Sequence, residues 1–144
     1  MPRRSRRGTA RRATVLTNDQ TDPSGVRPAR GEVWLVRLPR ALGAELQRDR
    51  PAVVIQSSTF DAAPVRIIVP LSRWREDFAG AINKVEIAAN EQNGLDADSA
   101  ADFLQVRSVA LERFIDLLGN VRTDLVDEIA IGVAIAIGGG SGPD

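Results

Sequence analysis

Residues 50–56 read RPAVVIQ, and residues 65–72 read VRIIVPLS. Both are short apolar runs with the composition of buried β-strands. Pro51 stands at the start of the first run, where a missing N–H is tolerated. Arg50 comes just before the first strand, and Ser72 comes just after the second. If the two strands are neighbours, a guanidinium and a hydroxyl meet at one rim of a small β-barrel, in a position to bind a phosphate.

The composition limits the available chemistry. The chain has 144 residues, enough for one domain with an ordinary core, and 43% of them are hydrophobic. It contains no histidine and no cysteine, which excludes thiol catalysis, disulfides and the commonest general base. No tight acidic motif indicates a metal, so we expect neither a metal nor a cofactor. No apolar run is long enough to cross a membrane, so we expect no membrane span and a cytoplasmic location.

Charge is unevenly distributed, although its sum is zero. Residues 1–30 hold eight arginines and two aspartates, a net of +6, and residues 31–144 hold 11 basic and 17 acidic groups, a net of −6. We expect residues 1–29 to be a disordered basic arm, either a non-specific phosphate binder or a dispensable extension. The folded domain is expected at residues 30–138, followed by a flexible tail at 139–144.

The rest of the pattern predicts a mainly β protein with a C-terminal helix. Besides strands at 51–56 and 65–71, we expect strands at 32–38, 83–88, 100–106 and 117–121, with helical spacing at 109–116. Thr123 is expected to cap a terminal helix. That helix is apolar nearly all round from Ile129 to Ile137, which predicts that it is buried or contacts another subunit. Short strands at this spacing with one closing helix indicate a small barrel, closed or half-open.

Four motifs, in order along the chain, resemble those of the MazF/PemK toxins of bacterial toxin–antitoxin systems. They are RGEVW at 30–34, GAE at 43–45 with RPAVVIQ at 50–56, VPLS at 69–72, and DS at 98–99 with QVRSV at 105–109 and Arg113. The resemblance implies an SH3-like β-barrel of the CcdB/MazF type, a homodimer and a MazE/PemI-like antitoxin as partner. It also implies sequence-specific, metal-independent cleavage of single-stranded RNA, which leaves a 2′,3′-cyclic phosphate and a 5′-hydroxyl and inhibits translation and growth. The two key positions of the family fall on Arg50 and Ser72, and the second is often threonine.

These two residues suit the chemistry that the resemblance implies. RNA carries its own nucleophile, the 2′-hydroxyl, so an enzyme needs only to align it, move two protons and stabilise charge on phosphorus. The planar guanidinium of Arg50 matches two phosphate oxygens, and the Ser72 hydroxyl can donate to the same phosphate. Because an arginine stays protonated at neutral pH and is a poor base, we interpret Arg50 as electrostatic stabiliser and proton donor. Glu45, in the flanking loop, is the alternative general base.

The other candidates for RNA contacts each have a structural alternative; they are Arg30, Gln56, Arg73, Trp74, Gln105 and Arg107. Either glutamine reads base edges or satisfies backbone groups. Arg107 binds phosphate or pairs with Asp98 or Asp102. Trp74 lies in a polar segment and is expected to stack on an unpaired base, whereas Trp34 is expected in the core.

Two further readings of the function remain open. The related CcdB branch shares the fold but is a non-catalytic toxin that binds DNA gyrase, and a degenerate family member would have only a structural role. Retention of Arg50 and Ser72 favours RNA cleavage. The net negative charge of the body then requires positive charge to be focused at the rim. The arginines expected there are Arg30, Arg37, Arg48, Arg50, Arg73 and Arg75.

Overall fold

Seven strands and one α-helix form the part of the chain that this computed structural model describes, residues 25–139. The strands are β1 Glu32–Leu38, β2 Arg48–Val54, β3 Val65–Arg73, β4 Lys84–Ile87, β5 Ser99–Asp102, β6 Arg107–Ala110 and β7 Phe114–Asn120, and the helix α1 is Thr123–Ala136. The antiparallel sheet has the order β4-β5-β3-β2-β1-β7, and β6 pairs with the first half of β3.

The core lies on both faces of this sheet because successive residues of a strand point to opposite sides. Val53 and Val69 are directly opposite each other and belong to a cluster that α1 covers with Ile129. Their neighbours Val54 and Ile68 belong to a second cluster on the other face. The central pair of strands is therefore buried on both sides, which explains why its sequence is a continuous apolar run rather than an alternating one.

The prediction of a mainly β, barrel-like fold with a C-terminal helix is confirmed. Within the described residues, however, the hydrogen-bonded path runs from β4 to β7 without pairing those two strands. The barrel is therefore half-open rather than closed. No helix in the same part of the chain is long and apolar enough to cross a membrane.

The helical spacing expected at 109–116 was wrong. This segment contains the end of β6, a single 3₁₀ turn at Leu111–Arg113 and the start of β7. Val109, Leu111 and Phe114 are buried. The interval from Val109 to Leu111 has the period of a strand, and the interval from Leu111 to Phe114 spans the 3₁₀ turn. Together the two intervals resemble the spacing of an apolar helix face.

Smaller differences concern where elements begin and end. The second strand begins at Arg48, three residues before the expected start, and the third continues through Arg73. The expected strand at 100–106 is β5 followed by a 3₁₀ turn at Phe103–Gln105. The N-cap of α1 is Arg122 rather than Thr123, and its side chain makes no capping hydrogen bond. These shifts leave the order of the elements unchanged.

Helix α1 is buried on one side only. Val126, Ile129 and Gly132 face the body, and a Cβ at Gly132 would lie 2.5 Å from the Phe103 ring, so the two pack closely. On the opposite side, Ile131 and Ile135 are 59% and 62% exposed, and Ile137, the C-cap residue just after the helix, is 77% exposed. The expected burial is therefore incomplete within one chain. The expected basic arm and tail fall largely on residues 1–24 and 140–144, outside the described residues.

Candidate active site

Arg50 and Ser72 come together at one rim of the sheet. Strands β2 and β3 pair Ala52 with Pro70 and Val53 with Val69, and two more steps of this register bring Arg50 opposite Ser72. Both residues line one open cleft of about 220 Å³. The other lining residues are Pro51, Leu71, Arg73, Leu95, Asp96, Ala97 and Ser99. The cleft thus joins the start of β2, the end of β3 and the loop that enters β5.

The Arg50 side chain is held by two backbone carbonyls. Its Nε donates to Gln47 O at 2.9 Å, and its Nη1 donates to Leu71 O at 3.2 Å. Its Nη2 has no acceptor among the described residues. Burial lowers the pKa of Arg50, because it removes water from the guanidinium, and the positive charge of Arg48 lowers that pKa further. The result is an oriented cation with donor capacity left for a ligand.

Ser72 supplies a half-buried hydroxyl to the same cleft. Its backbone pairs with Ala100 of β5, which fixes the position of its Cα. Within residues 25–139, no protein group makes a hydrogen bond to its Oγ. A hydroxyl without a partner in an open cleft can rotate to donate to an anion or to accept a proton.

Glu45 lies in a second cleft, of about 320 Å³, and does not line the one that holds Arg50 and Ser72. Its Oε1 accepts from Leu42 N at 2.9 Å, within its own loop. Gln105 and Arg107 line this second cleft as well. The structure therefore brings three of the sequence candidates together, but at a place separate from the two key residues.

Gln105 and Arg107 hold the loop that carries Glu45. Gln105 donates from Nε2 to Ala44 O at 3.0 Å and accepts from Leu46 N through Oε1 at 3.2 Å. Arg107 donates to Leu46 O at 3.1 Å. The expected alternatives for Arg107, ion pairs with Asp98 or Asp102, do not form. Since Gln47 of the same loop holds Arg50, these contacts also support the position of the Arg50 guanidinium.

Gln56 is not placed for contact with RNA. It is only 5% exposed, and its amide is occupied by Phe60 O, Val65 O and Ile67 N. Phe60 belongs to the segment that connects β2 to β3, and Val65 and Ile67 belong to the first part of β3. In this fold Gln56 therefore satisfies backbone groups, the structural alternative to reading base edges.

Arg30 is also far from the cleft. Its Nη1 donates to Ile55 O, and its Nη2 contacts Asp127 of α1 at 3.2 Å. Ile55 lies five residues from Arg50 along an extended chain, or roughly 17 Å at about 3.3 Å per residue. Arg30 thus ties the start of β1 to the helix at the opposite end of β2.

Arg73 and Trp74 lie on the cleft side of the molecule. Arg73 lines the cleft, and its guanidinium has no hydrogen bond or ion pair within residues 25–139. Trp74 is half-buried and meets the Phe78 ring edge-on at 5.6 Å. Trp34 packs similarly against Phe114 at 5.7 Å, beside the second core cluster. Both tryptophans are half-buried; Trp34 packs at the edge of the core rather than within it, and Trp74 keeps part of its surface open beside the cleft.

Asp96 is the carboxylate of the cleft and was missed by the sequence analysis. It lines the cleft with Arg50 and Ser72, is exposed, and has no hydrogen-bond partner among the described residues. A signal was present, because Asp98-Ser99 belongs to one of the quoted motifs and Asp96 stands two residues earlier. Only the pairing of β5 with Ser72 shows that this loop reaches the rim.

No group of three acidic, histidine or cysteine side chains within residues 25–139 is placed to hold a metal ion. The polar side chains of the cleft are the oriented guanidinium of Arg50, the guanidinium of Arg73, the carboxylate of Asp96 and two hydroxyls, those of Ser72 and Ser99, of which the Ser99 hydroxyl donates to Ala97 O at 2.9 Å. Together they can bind a phosphate, donate to its oxygens and accept a proton from a nearby hydroxyl.

Comparisons with known proteins identify the family of the chain. Residues 29–137 match the family model of the PemK-like, MazF-like toxins of type II toxin–antitoxin systems. Endoribonuclease MazF9 of Mycobacterium tuberculosis (strain ATCC 25618 / H37Rv) is 32% identical over 98 residues, which are 64% of this chain and 80% of that protein.

Two solved structures share the fold. MazF from Deinococcus radiodurans gives a TM-score of 0.65 at 17% identity, covering 78% of this chain and 98% of that one. An endoribonuclease in complex with its cognate antitoxin, from a mycobacterial species, gives 0.57 at 18% identity, covering 77% and 95%. The family match extends from the start of β1 through the end of α1 and includes every residue of the cleft. The chain therefore belongs to the PemK-like, MazF-like toxin family of type II toxin–antitoxin systems.

Proposed function

We propose that this protein is a sequence-specific, metal-independent endoribonuclease toxin that cleaves single-stranded RNA and leaves a 2′,3′-cyclic phosphate and a 5′-hydroxyl. The observation that carries the proposal is the shared cleft of Arg50 and Ser72, two residues on different strands. Both stand at the positions that the family resemblance marks as key. The relative that shows the family is itself named an endoribonuclease.

The proposed reaction needs no group from outside the RNA and the protein. The 2′-oxygen forms a bond to the adjacent phosphorus and loses its proton, while the bond from phosphorus to the 5′-oxygen breaks and that oxygen gains a proton. Arg50 donates from its free Nη2 to the phosphate, where negative charge grows as the phosphorus becomes five-coordinate. Ser72 donates from Oγ to another oxygen of the same phosphate. Arg50, as a cation, also supplies the proton to the departing oxygen.

Two carboxylates compete for the role of proton acceptor. Asp96 is in the same cleft as Arg50, whereas Glu45 would need its loop to move because it lines the other cleft. We therefore assign the base to Asp96 and keep Glu45 as the alternative. General-base catalysis typically contributes about 10²–10⁴ in rate, so Asp96→Asn is expected to lose about that factor and the acidic limb of the pH–rate profile. If Asp96 is the base, Glu45→Gln should keep the wild-type rate and the acidic limb of the profile.

RNA contacts outside the scissile phosphate divide by position. Arg73 is placed to bind a neighbouring phosphate, and Trp74 presents an aromatic surface for one unpaired base. Gln105 and Arg107 act through the loop at 44–46, whose conformation shapes the second cleft. Substitutions of these two residues should change cleavage specificity, and they should also lower the rate because Gln47 of the same loop holds Arg50.

The partners follow from the same family membership. We propose that a small MazE/PemI-like antitoxin binds this chain and blocks the RNA-binding clefts, as the solved relative with its cognate antitoxin suggests. In a homodimer, contact with the second copy would bury the exposed isoleucine side of α1. The cytoplasm is the expected location, because the proposed RNA substrates are there.

The test is cleavage of a defined single-stranded RNA by purified protein in the presence of EDTA. Arg50→Ala should lower the rate by at least about 10²–10³. Ser72→Ala should also lower the rate, whereas Ser72→Thr, which keeps a hydroxyl, should cleave at about the wild-type rate. Arg122→Ala is the matched control, since Arg122 is exposed, lies outside the cleft and pairs with its near neighbour Asp124. Full activity of Arg50→Ala would refute the site.

A separate measurement addresses the CcdB-like alternative. After induction in cells, a ribonuclease should generate new RNA 5′-hydroxyl ends, and sequencing those ends would also give the cleavage motif. A gyrase-binding toxin should instead cause DNA breaks with intact RNA. That second outcome, together with inactivity of the wild-type protein on RNA, would refute the proposed function.

A further inference from the structure

Arg48 has a backbone conformation that suits glycine. Its φ is +75°, and every other residue of positive φ between 25 and 139 is a glycine. In this region the Cβ of an L-residue approaches the following carbonyl oxygen, so residues other than glycine, asparagine and aspartate rarely adopt it. Such strain persists where the surrounding structure or a function maintains it.

No protein contact accounts for an arginine at this position. Arg48 opens β2 opposite Leu38 of β1, and its exposed side chain has no hydrogen bond or ion pair among the described residues. The acid beside it, Asp49, contacts Arg37 instead, at 3.4 Å. The strained residue therefore presents a cation to solvent, and no acid within residues 25–139 forms an ion pair with it.

Arginines without a protein acceptor are concentrated near the clefts. Within residues 25–139 the guanidinium groups without a hydrogen bond or ion pair are those of Arg40, Arg48 and Arg73. Arg73 lines the cleft of Arg50, and Arg40 lines the second cleft. Arg48 lies on β2 two residues before Arg50, and its charge lowers the pKa of Arg50. Two like charges this close repel each other, and an anion between or beside them removes that repulsion.

We propose that Arg48 is a phosphate-binding residue that holds the RNA phosphate next to the scissile one, and that its left-handed conformation is retained for this contact. The proposal rests on the proposed function, because it takes single-stranded RNA as the ligand. It adds a residue that the family motifs do not mark. Arg48 binds and positions the strand, while Arg50 acts on the reacting phosphate.

The decisive variant is Arg48→Gly, because glycine removes the charge and the strain together. Its melting temperature should rise by roughly 2–4 °C, since relief of the left-handed strain exceeds the added freedom of the unfolded chain. Its affinity for RNA should fall by about tenfold at low salt. Arg48→Lys should keep the affinity and leave the melting temperature unchanged, and Arg48→Gln should weaken binding with no gain in melting temperature.

Binding is measured by fluorescence anisotropy with a random-sequence 2′-O-methyl RNA oligonucleotide, which lacks the nucleophile and is not cleaved. Each phosphate contact with a single strand contributes about 0.7 to the slope of log K against log salt. The Arg48→Gly slope should therefore be smaller by about 0.7, and the Arg122→Gln slope should equal that of the wild type.

The outcomes separate this inference from the proposed function. An unchanged affinity and slope in Arg48→Gly would overturn the phosphate contact, even if wild-type protein cleaves RNA as proposed. A melting temperature that does not rise would overturn the strain argument. If the wild-type protein does not cleave RNA but Arg48→Gly shows the expected change in the salt-dependence slope, the nuclease function is refuted and Arg48 is supported as a phosphate-binding residue.

Discussion

Replacement of Gln56 by alanine should cost stability and leave RNA recognition unchanged. The side chain is 5% exposed; its Oε1 accepts from Ile67 N at 2.9 Å, and its Nε2 donates to Phe60 O at 3.1 Å and Val65 O at 3.2 Å. A neutral hydrogen bond contributes about 0.5–1.5 kcal/mol net. Three of them give about 3 kcal/mol, because alanine leaves three backbone groups without this partner.

Urea denaturation measures this loss directly. With a denaturant slope of about 2 kcal/mol per molar for a domain of this size, the unfolding midpoint should fall by about 1.5 M. Gln92→Ala is the matched control, since Gln92 is exposed and should unfold at the wild-type midpoint. The cleavage motif, determined by sequencing the 5′-hydroxyl ends, should be the same for all three proteins. A Gln56→Ala protein with normal stability and an altered motif would refute the structural role and restore this residue as a base reader.

Gln56→Glu adds a test with a defined sign. The new carboxyl oxygen would face Phe60 O and Val65 O where the amide had donated. The nearby Arg66 guanidinium, which donates to Val65 O, favours the charged form, but we expect burial and the two facing carbonyls to outweigh it, so the pKa of the new acid is raised in the folded state. A raised folded pKa makes stability greatest below the unfolded value of about 4.3, and stability falls as pH rises through the folded pKa. The stability deficit of Gln56→Glu relative to Gln56→Ala should therefore grow with pH, and a flat difference between the two variants would contradict the contact geometry.

The other predictions concern close packing away from the cleft and are checked by thermal or urea unfolding. Arg66→Met should lose about 3–5 kcal/mol, because the side chain of this 1%-exposed residue donates to four carbonyls, of which Val65 O keeps the Gln56 amide as a donor and the other three lose this partner. Gly119→Ala should lose at least about 3 kcal/mol, since a Cβ there would lie 2.1 Å from the Gln92 carbonyl oxygen, which belongs to the backbone. Gly132→Ala should cost less, about 1–3 kcal/mol, because the Phe103 side chain can rotate away. Wild-type stability in any of the three would show that the neighbouring segment relaxes freely.

The central strands were predictable because burial on both faces leaves a strong signal. Residues 52–54 pair with residues 68–70 and contribute to both core clusters, so apolar side chains occur at every position. The same apolar runs also predicted that Arg50 and Ser72 lie at the ends of these strands. Antiparallel pairing alone then brings the start of one strand to the end of the next.

The loops around the cleft were not predictable in the same way. The conformation of residues 44–46 depends on hydrogen bonds from Gln105 and Arg107, about sixty residues later. No local pattern records such contacts, so the sequence could not show that Glu45 lies in the second cleft and Asp96 in the first. The burial of Gln56 could have been predicted from the sequence, because Gln56 continues the alternation of Ala52 and Val54, which point toward the second core cluster.

The charge problem raised by the sequence has a local solution. The body has a net charge of −6, which disfavours RNA over long distances, yet several of its carboxylates are paired with basic groups. The ion pairs are Arg30–Asp127, Arg37–Asp49, Arg75–Asp77, Lys84–Asp102 and Arg122–Asp124. Each pair neutralises a cation along with its acid, while Arg40, Arg48 and Arg73 form no ion pair with any residue between 25 and 139. At physiological salt the screening length is about 8 Å, so a bound phosphate responds mainly to these nearby arginines rather than to the net charge. The negative body then limits association with RNA at a distance, and binding should depend on contacts made by the arginines in and beside the clefts.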